Sequence, residues 1–472
     1  MTVLDTAIVG GGLAGMALAA TLHQQGASAE VFEKSERPGG KVRSVREDGF
    51  VVEMGPLGWL DREPAVSALV RSLGLTPMPA SEAAGRRALL IGGQLQPMPT
   101  GFLSFLRSPI LSIGAKARLL AEPFIGRGDS DEESVHSFAS RRFGPGVADT
   151  FIAAMVSGIF GGDPHKLSVQ AAFPLMASWE AESGSCIRGA VRHMRRRKRE
   201  RRAGTMERTS GQLLTLEGGF TDLIDAIHEN LGDAFRGDTA PDAIVRDDGK
   251  WLLLKNGVEL TRSRQLVMAL HAREAMQLLH EAPGTETERV AFQQARAAAE
   301  GISNAPLAVV TTAHRAEDVR GAIDGFGFIA LRNKSFRPLG VQFASSIFPS
   351  QSPSGHVQLR TLLGGVSDPE AVELDDPQLL DAALAPVQDV LHIENTPSHT
   401  WIQRVREGIP QYNIGHIGRV HAMERFAETM PSLFFVGDSL HGVGINKVVA
   451  RAHEVALILL SHRGQSEADC PR

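Results

Sequence analysis

Cysteine and tyrosine are scarce in this chain. Its 472 residues contain two cysteines, Cys186 and Cys470, and a single tyrosine, Tyr412. The cysteines lie far apart and have no cysteine or histidine neighbours at the spacing of metal ligands. This pattern excludes a disulfide framework or a cysteine-rich metal site and is typical of a reducing compartment. We therefore expect no bound metal and a cytoplasmic location.

Long apolar runs and an excess of positive charge are also missing. No stretch reaches the roughly 18 apolar residues of a membrane-spanning helix, and the first residues lack the basic segment of a signal peptide. The 49 basic and 54 acidic side chains leave a net charge of −5, which argues against a dedicated nucleic-acid-binding protein. The length exceeds the ~250–300 residues at which one core stops growing, so we expect two or three domains.

A glycine-rich turn near the start carries the clearest functional signal. The motif Gly10-x-Gly12-x-x-Gly15 follows an apolar strand at 6–9, opens a helix, and is followed by a second strand at 29–33. The glycines permit a tight turn and a close approach of a pyrophosphate, which the helix N-terminus attracts. Glu33 ends the second strand, where a carboxylate accepts the adenosine ribose hydroxyls. The unit predicts a dinucleotide site.

The segment after the second strand distinguishes FAD from NAD. It reads Glu33-Lys-Ser-Glu-Arg-Pro-Gly-Gly-Lys41, and Glu53-Met-Gly-Pro56 follows. Paired glycines let the backbone run beside an extended cofactor, and Arg37 can neutralise pyrophosphate charge. The stretch resembles the flavin-dependent oxidases of the amine oxidase, phytoene desaturase and protoporphyrinogen oxidase superfamily. The resemblance implies FAD.

The predicted fold class is α/β, with a doubly wound, Rossmann-like FAD domain in three pieces, at 1–85, 205–285 and 399–472. A mostly helical, membrane-associating insertion is expected at 86–204, and an α+β substrate domain with an antiparallel sheet at 286–398. In the third piece, Gly437 and Asp438 end a strand, and glycines at the next helix start offer backbone N–H groups to a flavin.

A basic run extends from Arg188 to Arg202, with nine Lys or Arg residues and one acidic residue, Glu200. One interpretation is a solvated helix or mobile loop, and another is contact with anionic lipid. Nucleic acid is disfavoured because no aromatic residues are interleaved.

Within the superfamily, three further motifs resemble the protoporphyrinogen IX oxidases. They are Ser157-Gly-Ile-Phe-Gly-Gly-Asp-Pro-His-Lys-Leu-Ser168, Ile409-Pro-Gln-Tyr-Asn-Ile-Gly-His416 and Gly437-Asp-Ser-Leu-His-Gly-Val-Gly-Ile445. The resemblance implies oxidation of protoporphyrinogen IX to protoporphyrin IX in haem biosynthesis. Three flavin cycles would remove six electrons, with dioxygen as acceptor and hydrogen peroxide as by-product. The chemistry lies with the flavin, so no side chain is assigned as catalytic.

The site residues follow from the glycine pattern and from the resemblance. Predicted FAD contacts are Gly10, Gly11, Gly12, Leu13, Ala14, Gly15, Glu33, Lys34, Arg37, Gly40, Lys41, Gly55, Pro56, Leu57, Gly58, Pro241, Ile244, Gly437, Asp438, Val443, Gly444 and Ile445. Predicted substrate contacts are Arg87, Gln96, Gly161, Gly162, Phe328, Gln342 and Leu362.

One departure from the family concerns the substrate. Relatives often place an arginine for a substrate propionate where this chain has Gln94 and Gln96, so Arg86, Arg87 or Arg107 would serve instead. Coproporphyrinogen III remains open as the substrate, as do an amine oxidase-like activity and a non-catalytic FAD-binding paralogue. A homodimer and a peripheral contact with the inner face of the cell membrane, through residues 100–130, are further expectations.

Overall fold

The computed structural model describes residues 3–128, 131–203, 209–331 and 336–468. Cys470 and the predicted boundary between residues 204 and 205 lie outside these ranges. Within them the strands, numbered β1 to β19 along the chain, are Leu4–Val9, Ala29–Phe32, Ser44–Glu47, Phe50–Glu53, Trp59–Leu60, Met78–Pro79, Arg87–Ile91, Gln94–Pro97, Leu213–Thr215, Phe235–Arg236, Ala243–Asp247, Lys250–Lys255, Val258–Met268, Asn304–Arg315, Gly327–Ala330, Gly340–Phe343, His356–Gly364, His399–Pro410 and Leu433–Phe435.

The helices of the same ranges are numbered α1 to α17. They are Leu13–Gln24, Pro64–Ser72, Phe102–Arg107, Ile113–Leu120, Val135–Phe143, Pro145–Val147, Ala153–Phe160, Val169–Ala172, Pro174–Ser183, Cys186–Ala203, Thr221–Leu231, Ala272–Leu278, Glu286–Glu300, Ala344–Ile347, Asp376–Leu391, His416–Thr429 and Ile445–Ala468.

A parallel sheet with helices on both faces forms the first layer of the molecule. Its parallel strands lie in the order β10-β2-β1-β13-β19, while β12 pairs antiparallel with the first half of β13 and β11 pairs antiparallel with β12. Successive side chains of β1 alternate between two cores: Ile8 packs with α1, α11 and α17, whereas Ala7 and Val9 pack with α12, α13 and α16. This alternation explains the continuous apolar run in the sequence.

The carboxyl ends of the parallel strands meet at one edge of this sheet. Gly10 N–H donates to Phe32 O at 2.9 Å, Ala269 N–H to Val9 O at 2.8 Å, and Val436 N–H to Met268 O at 3.1 Å. The segments that follow β1, β2, β13 and β19 therefore lie side by side, which is where ligands bind in doubly wound sheets.

A second, mainly antiparallel sheet has the strand order β18-β14-β17-β16-β15-β7-β8. One face packs on α15, through Val357 and Leu359 among others. The other face is crossed by β4, since Gln358 Nε2 donates to Val51 O and Arg360 Nε to Glu53 O. The second sheet thus lies directly against the segment of the first sheet's domain that leads into Gly55.

The strands of this sheet come from three of the predicted segments, so the sheet crosses two of the predicted domain boundaries. The hairpin β7–β8 falls in the segment 86–204, and β18 falls in the segment 399–472, yet both pair with strands of 286–398. Most of 86–204 is helical, from α3 to α10. Pairing between strands distant in sequence carries no local signal, so the sequence pattern does not reveal it.

Candidate functional site

The glycine turn after β1 and the loop at 37–41 form one continuous surface. Gly39 N–H donates to Gly11 O at 2.7 Å, and Gly12 and Gly39 form an isolated β-bridge. A Cβ at Gly40 would lie 3.2 Å from the Cα of Gly12. The predicted FAD residues of the first forty positions are therefore brought together by backbone contacts that side chains would obstruct.

Two glycines of the turn have different physical roles. A Cβ at Gly15 would lie 2.0 Å from Gly10 O, so this residue must be glycine for α1 to pack on the turn. A Cβ at Gly12 would meet no atom of the described chain within 4 Å, so Gly12 faces open space. The first helical bond runs from Met16 N–H to Gly12 O, which leaves the N–H groups of residues 13–15 directed at that space. The arrangement fits a pyrophosphate.

Glu33 is held as an acceptor at the end of β2. Its Oε2 accepts from Gly11 N–H at 2.6 Å and its Oε1 from Ser35 N–H at 3.0 Å, and the side chain is buried. Thr239 N–H donates to the Glu33 carbonyl at 2.9 Å, which brings the segment with the buried Pro241 alongside. A fixed carboxylate here suits ribose hydroxyls.

Not every predicted FAD contact projects its side chain toward this edge. Lys34 is exposed and forms an ion pair with Glu274 at 3.4 Å. Ile244 is fully buried in the core beneath the sheet, so only its backbone can face a cofactor. Arg37 is exposed and its Nη2 donates to Val42 O at 3.3 Å.

Lys41 joins the first and third pieces of the dinucleotide module. Its Nζ lies 3.0 Å from Asp438 Oδ2 and donates to Gly408 O at 2.6 Å. A Cβ at Gly55 would lie 2.0 Å from Lys41 O, so the 55–58 loop contacts the same residue. Leu57 anchors this loop in a small apolar cluster of the second sheet, with Ile347 and Phe348.

The single tyrosine organises the loop after β19. The Tyr412 hydroxyl donates to Asp438 O and accepts from Gly442 N–H at 2.7 Å. Its ring stacks on His416 with centroids 4.0 Å apart, and His416 Nε2 lies 3.3 Å from Leu440 O. Burial lowers the pKa of His416 to about 4, so the imidazole is neutral near pH 7 and donates Nε2–H to that carbonyl.

This loop leads into the predicted flavin residues 443–445. A Cβ at Gly444 or at Gly437 would meet no described atom within 4 Å, and the first bonds of α17 are accepted by Gly444 O. Val443 packs against the helical segment. A helix start with free N–H groups and open space beside it fits the electron-rich edge of a reduced flavin.

On the second sheet, Gln342 and Leu362 share a face with Arg360. Gln342 pairs with Arg360, and Gly340 pairs with Leu362. Arg360 is buried, and its guanidinium donates to Glu53 O at 3.1 Å, to Gly55 O, and to Gln342 Oε1 at 2.5 Å. The sequence gives no signal for Arg360, because a lone arginine in an alternating strand looks like a solvated one.

Phe328, a predicted substrate contact, does not share the face of Gln342 and Leu362. Phe328 pairs with Val341, one position out of step with Gln342, and side chains alternate between the faces of a sheet. It is buried in the opposite core, with Phe336 and Phe343. Ile329, which pairs with Gly340, lies on the face that Phe328 was expected to occupy.

The end of α7 contacts the turn after β17. Gly161 O accepts from Val366 N–H at 2.8 Å, and a Cβ at Gly161 would lie 3.3 Å from the Cα of Gly365. A Cβ at Gly162 would lie 2.6 Å from Gln411 Oε1. Leu362 therefore lies on β17 between Arg360, which bonds Gly55, and the Gly364–Gly365 turn, which touches Gly161.

At the outer edge of the sheet, Arg87 and Gln96 belong to the hairpin β7–β8. The Arg87 guanidinium lies 4.6 Å from the centroid of the Phe326 ring, and Phe326 packs in the cluster with Leu57. Arg87 pairs with Gly327, which pairs with Gln342. Gln96 pairs with Leu89, which lies two residues along β7 from Arg87 and therefore on the same face.

Comparison with known proteins defines the class. The family described as flavin containing amine oxidoreductase matches residues 13–460, and the chain belongs to this family. FAD is its cofactor, and the residues described above fit that group.

Individual proteins with named activities are also similar to this chain. The chain is 28% identical to coproporphyrinogen III oxidase of Bacillus subtilis (strain 168), over 93% of this chain and 94% of that protein. It is 27% identical to protoporphyrinogen oxidase 2, chloroplastic/mitochondrial, of Arabidopsis thaliana, over 97% and 94%. A crystal structure from Exiguobacterium sp. 255-15, provisionally named a protoporphyrinogen oxidase, has a TM-score of 0.80 at 24% identity, covering 98% of this chain and 100% of that one.

Proposed function

We propose that this protein is an FAD-dependent porphyrinogen oxidase that converts protoporphyrinogen IX to protoporphyrin IX, with dioxygen as the electron acceptor. The curated relatives that span nearly the whole chain support this activity. The single structural observation that carries it is the position of Leu362 and Gln342. Both are half-buried, whereas Thr361, Leu363 and Val341 beside them are buried. The face between Gly55 and Gly161 therefore borders an accessible space.

FAD supplies the oxidising chemistry when bound, by accepting a hydride equivalent from the reduced macrocycle. The chain positions the partners. Glu33 and the start of α1 would hold the adenosine and pyrophosphate, while Asp438 and residues 443–445 would hold the flavin end. Leu362 and Ile329 offer an apolar surface for a macrocycle, and the Gly161 backbone permits close approach from the other side.

Arg87 is the proposed partner of a substrate propionate. It is exposed, lies on the row of Gln342 and Gly327, and has the like charge of Arg62 nearby. Two neighbouring guanidinium groups create a positive potential, which attracts a carboxylate. Coproporphyrinogen III, which carries more propionates, is the second candidate substrate, because the relative from B. subtilis is named coproporphyrinogen III oxidase.

Turnover of both porphyrinogens tests the proposal. Purified, FAD-loaded protein is supplied under air with protoporphyrinogen IX and separately with coproporphyrinogen III, and porphyrin fluorescence is compared with a heat-denatured control. Faster product from the first supports the proposal. Preference for the second moves the enzyme to the coproporphyrin-forming class, and turnover of neither, with FAD bound, contradicts both.

A peripheral membrane contact belongs to the same proposal. No helix in the described ranges is long and apolar enough to span a bilayer. Near the start of α4 and the turn after it, Ile113 is 86% exposed and Phe124 is 84% exposed, and exposed apolar residues in one segment are typical of interfacial anchors. The predicted cytoplasmic location and homodimer stay predictions.

A vesicle experiment tests this contact. We expect the protein to sediment with vesicles that contain anionic lipid, and the I113D/F124D variant to lose most of that binding because two anchors become charged. Val258, a 67% exposed valine of β13, gives the matched control V258D, which should sediment like the parent. Equal sedimentation of parent and I113D/F124D would contradict the anchor, as would no sedimentation of the parent.

A further inference from the structure

Arg360 is a buried cation between the flavin-domain loop and the substrate face. Its Nε donates to Glu53 O, one Nη to Gly55 O, and the other Nη to Gln342 Oε1 at 2.5 Å. Two of these partners are backbone carbonyls of residues 53 and 55, where the predicted flavin contacts 55–58 begin. The guanidinium is therefore fixed by its surroundings rather than free to follow a ligand.

The chemistry of arginine decides how the Gln342 amide is oriented. A guanidinium has only donors, so the atom of Gln342 that faces it must be the carbonyl oxygen. The amide Nε2 then points away from Arg360. In the described chain no acceptor is bonded to this nitrogen, and Gln342 is half-buried, so its two N–H donors face the accessible space beside Leu362.

A reduced porphyrinogen offers few partners to such donors. Its four pyrrole nitrogens carry hydrogen and act as donors, so its strong acceptors are the carboxylates of its side chains. Gln342, Gly327 and Arg87 lie in one row across three neighbouring strands. Gly327 is glycine because a Cβ would lie 2.0 Å from Val341 O, and it places no side chain between the amide donor and the guanidinium, which could both reach one carboxylate.

We infer that Arg360 is a positioning residue, which fixes the Gln342 amide as a hydrogen-bond donor for a carboxylate of the substrate. The inference rests on the proposed function. Arg360 would then act on substrate specificity indirectly, by orienting the neighbouring Gln342 amide. No sequence motif identifies a residue in that role.

Variant Q342E gives the sharpest test. Glutamate still accepts from Arg360 but offers no donor and repels a carboxylate. KM and kcat are measured for protoporphyrinogen IX and for its dimethyl ester, which has the same macrocycle without charged carboxylates. We expect KM for the diacid to rise about tenfold or more, as for loss of one charge-assisted bond, and KM for the diester to change by less than about twofold. FAD affinity and the flavin spectrum should stay unchanged.

Variant R360Q tests the positioning step. It frees the Gln342 amide to rotate, so the preference for the diacid over the diester should fall several-fold. Adding Q342L to R360Q should lower that preference little beyond Q342L alone, because both substitutions remove the same contact. R406Q, at an exposed arginine of β18 paired with Glu373, and Q277E, on the surface of α12, are controls that should keep the parent's preference.

The outcomes separate the inference from the proposed function. If Q342E raises KM equally for diacid and diester, the inference is overturned while the proposed function stands. A changed FAD affinity or flavin spectrum, with the diacid preference retained, would show that Gln342 serves the flavin and would also overturn it. If the parent oxidises neither compound, the proposed function fails and the inference fails with it.

Discussion

At the scale of single residues, a few polar side chains hold together the segments around the candidate flavin site. Lys41 bonds Asp438 and Gly408 O, Arg360 bonds the carbonyls before the 55–58 loop, and Tyr412 closes the loop before α17. These contacts join segments that are up to 397 residues apart in the chain. The geometry of the flavin site therefore depends on side chains that do not belong to the glycine motif.

Removing the Tyr412 hydroxyl should loosen the flavin loop. In Y412F the stacking on His416 is retained, but Gly442 N–H and Asp438 O lose their partner. We expect a loss of about 1–3 kcal/mol in the free energy of unfolding and weaker FAD binding, measured by denaturant titration and by flavin fluorescence. S461A, which removes an exposed hydroxyl bond to Ile458 O in α17, should change neither; equal FAD affinity in Y412F and parent would contradict the role.

Glu53 predicts a pH dependence of stability. Its carboxylate accepts from Phe220 N–H and Ser44 Oγ–H, yet burial raises the pKa of Glu53 from 4.5 to about 7. A carboxyl group with a raised folded-state pKa contributes most stability below pH 4.5, and this contribution is lost as the pH rises through 7.

Between pH 5 and 8, the free energy of unfolding of the parent should therefore fall relative to that of E53Q, by about 1–3 kcal/mol. Urea titrations of the FAD-loaded proteins at each pH measure the difference. E36Q, at an exposed glutamate, should follow the parent at every pH. A constant difference between parent and E53Q across this range would show that Glu53 does not titrate there.

At the scale of elements, the turn from β1 into α1 contains one glycine that the fold requires and another that leaves room for a ligand. Gly15 and Gly12 stand three residues apart, but only Gly15 is required by packing, because its Cβ would lie 2.0 Å from Gly10 O. Gly12 has a φ of −69°, which any residue adopts, and it faces open space. A side chain at Gly12 would therefore obstruct a ligand and not the fold.

Two alanine variants test this division. G12A should keep the free energy of unfolding of the FAD-free protein within about 0.5 kcal/mol of the parent and should bind FAD at least about tenfold more weakly. G15A should be destabilised even without FAD, because α1 must shift. Denaturant unfolding with and without FAD measures both effects; FAD binding by G12A at the parent's affinity would contradict the assignment of the pyrophosphate site.

The N-terminus of the basic helix α10 is held by a buried carboxylate. The sequence left open a mobile loop or a solvated helix for the run Arg188 to Arg202, and the structure has a helix over Cys186–Ala203. Glu122, fully buried, accepts from Cys186 N–H at 2.8 Å and Ile187 N–H at 3.2 Å. A carboxylate at a helix N-terminus satisfies free donors and favours the helix dipole. Contact of α10 with anionic lipid stays a prediction.

At the scale of the whole molecule, local patterns predict the dinucleotide unit but not the second sheet. The order strand, glycine turn, helix and strand is visible over residues 4–33, because each step is a local preference. The strands β7 and β18 pair with β15 and β14, which lie far away in the sequence, and β8 joins the sheet through β7. No local pattern records the two distant pairings.

The same limit applies to the candidate site. Phe328, expected as a substrate contact from the resemblance, lies on the face opposite Gln342, because neighbouring residues of a strand point to opposite faces. Arg360 was missed because its partners, Glu53 O and Gly55 O, are backbone atoms some 305–307 residues away. The glycine motif, in contrast, can be recognised from the sequence alone, because positions where two backbone segments approach closely require glycine.

The central claim is that FAD bound at the edge of the parallel sheet takes its electrons from a porphyrinogen held against the face with Leu362 and Gln342. The most direct measurement mixes FAD-loaded protein with protoporphyrinogen IX in the absence of oxygen, and follows flavin absorbance and porphyrin fluorescence together. We expect oxidised-flavin absorbance to fall as the porphyrinogen is consumed, and porphyrin to accumulate when air is admitted. Flavin that stays oxidised with both protoporphyrinogen IX and coproporphyrinogen III would contradict it.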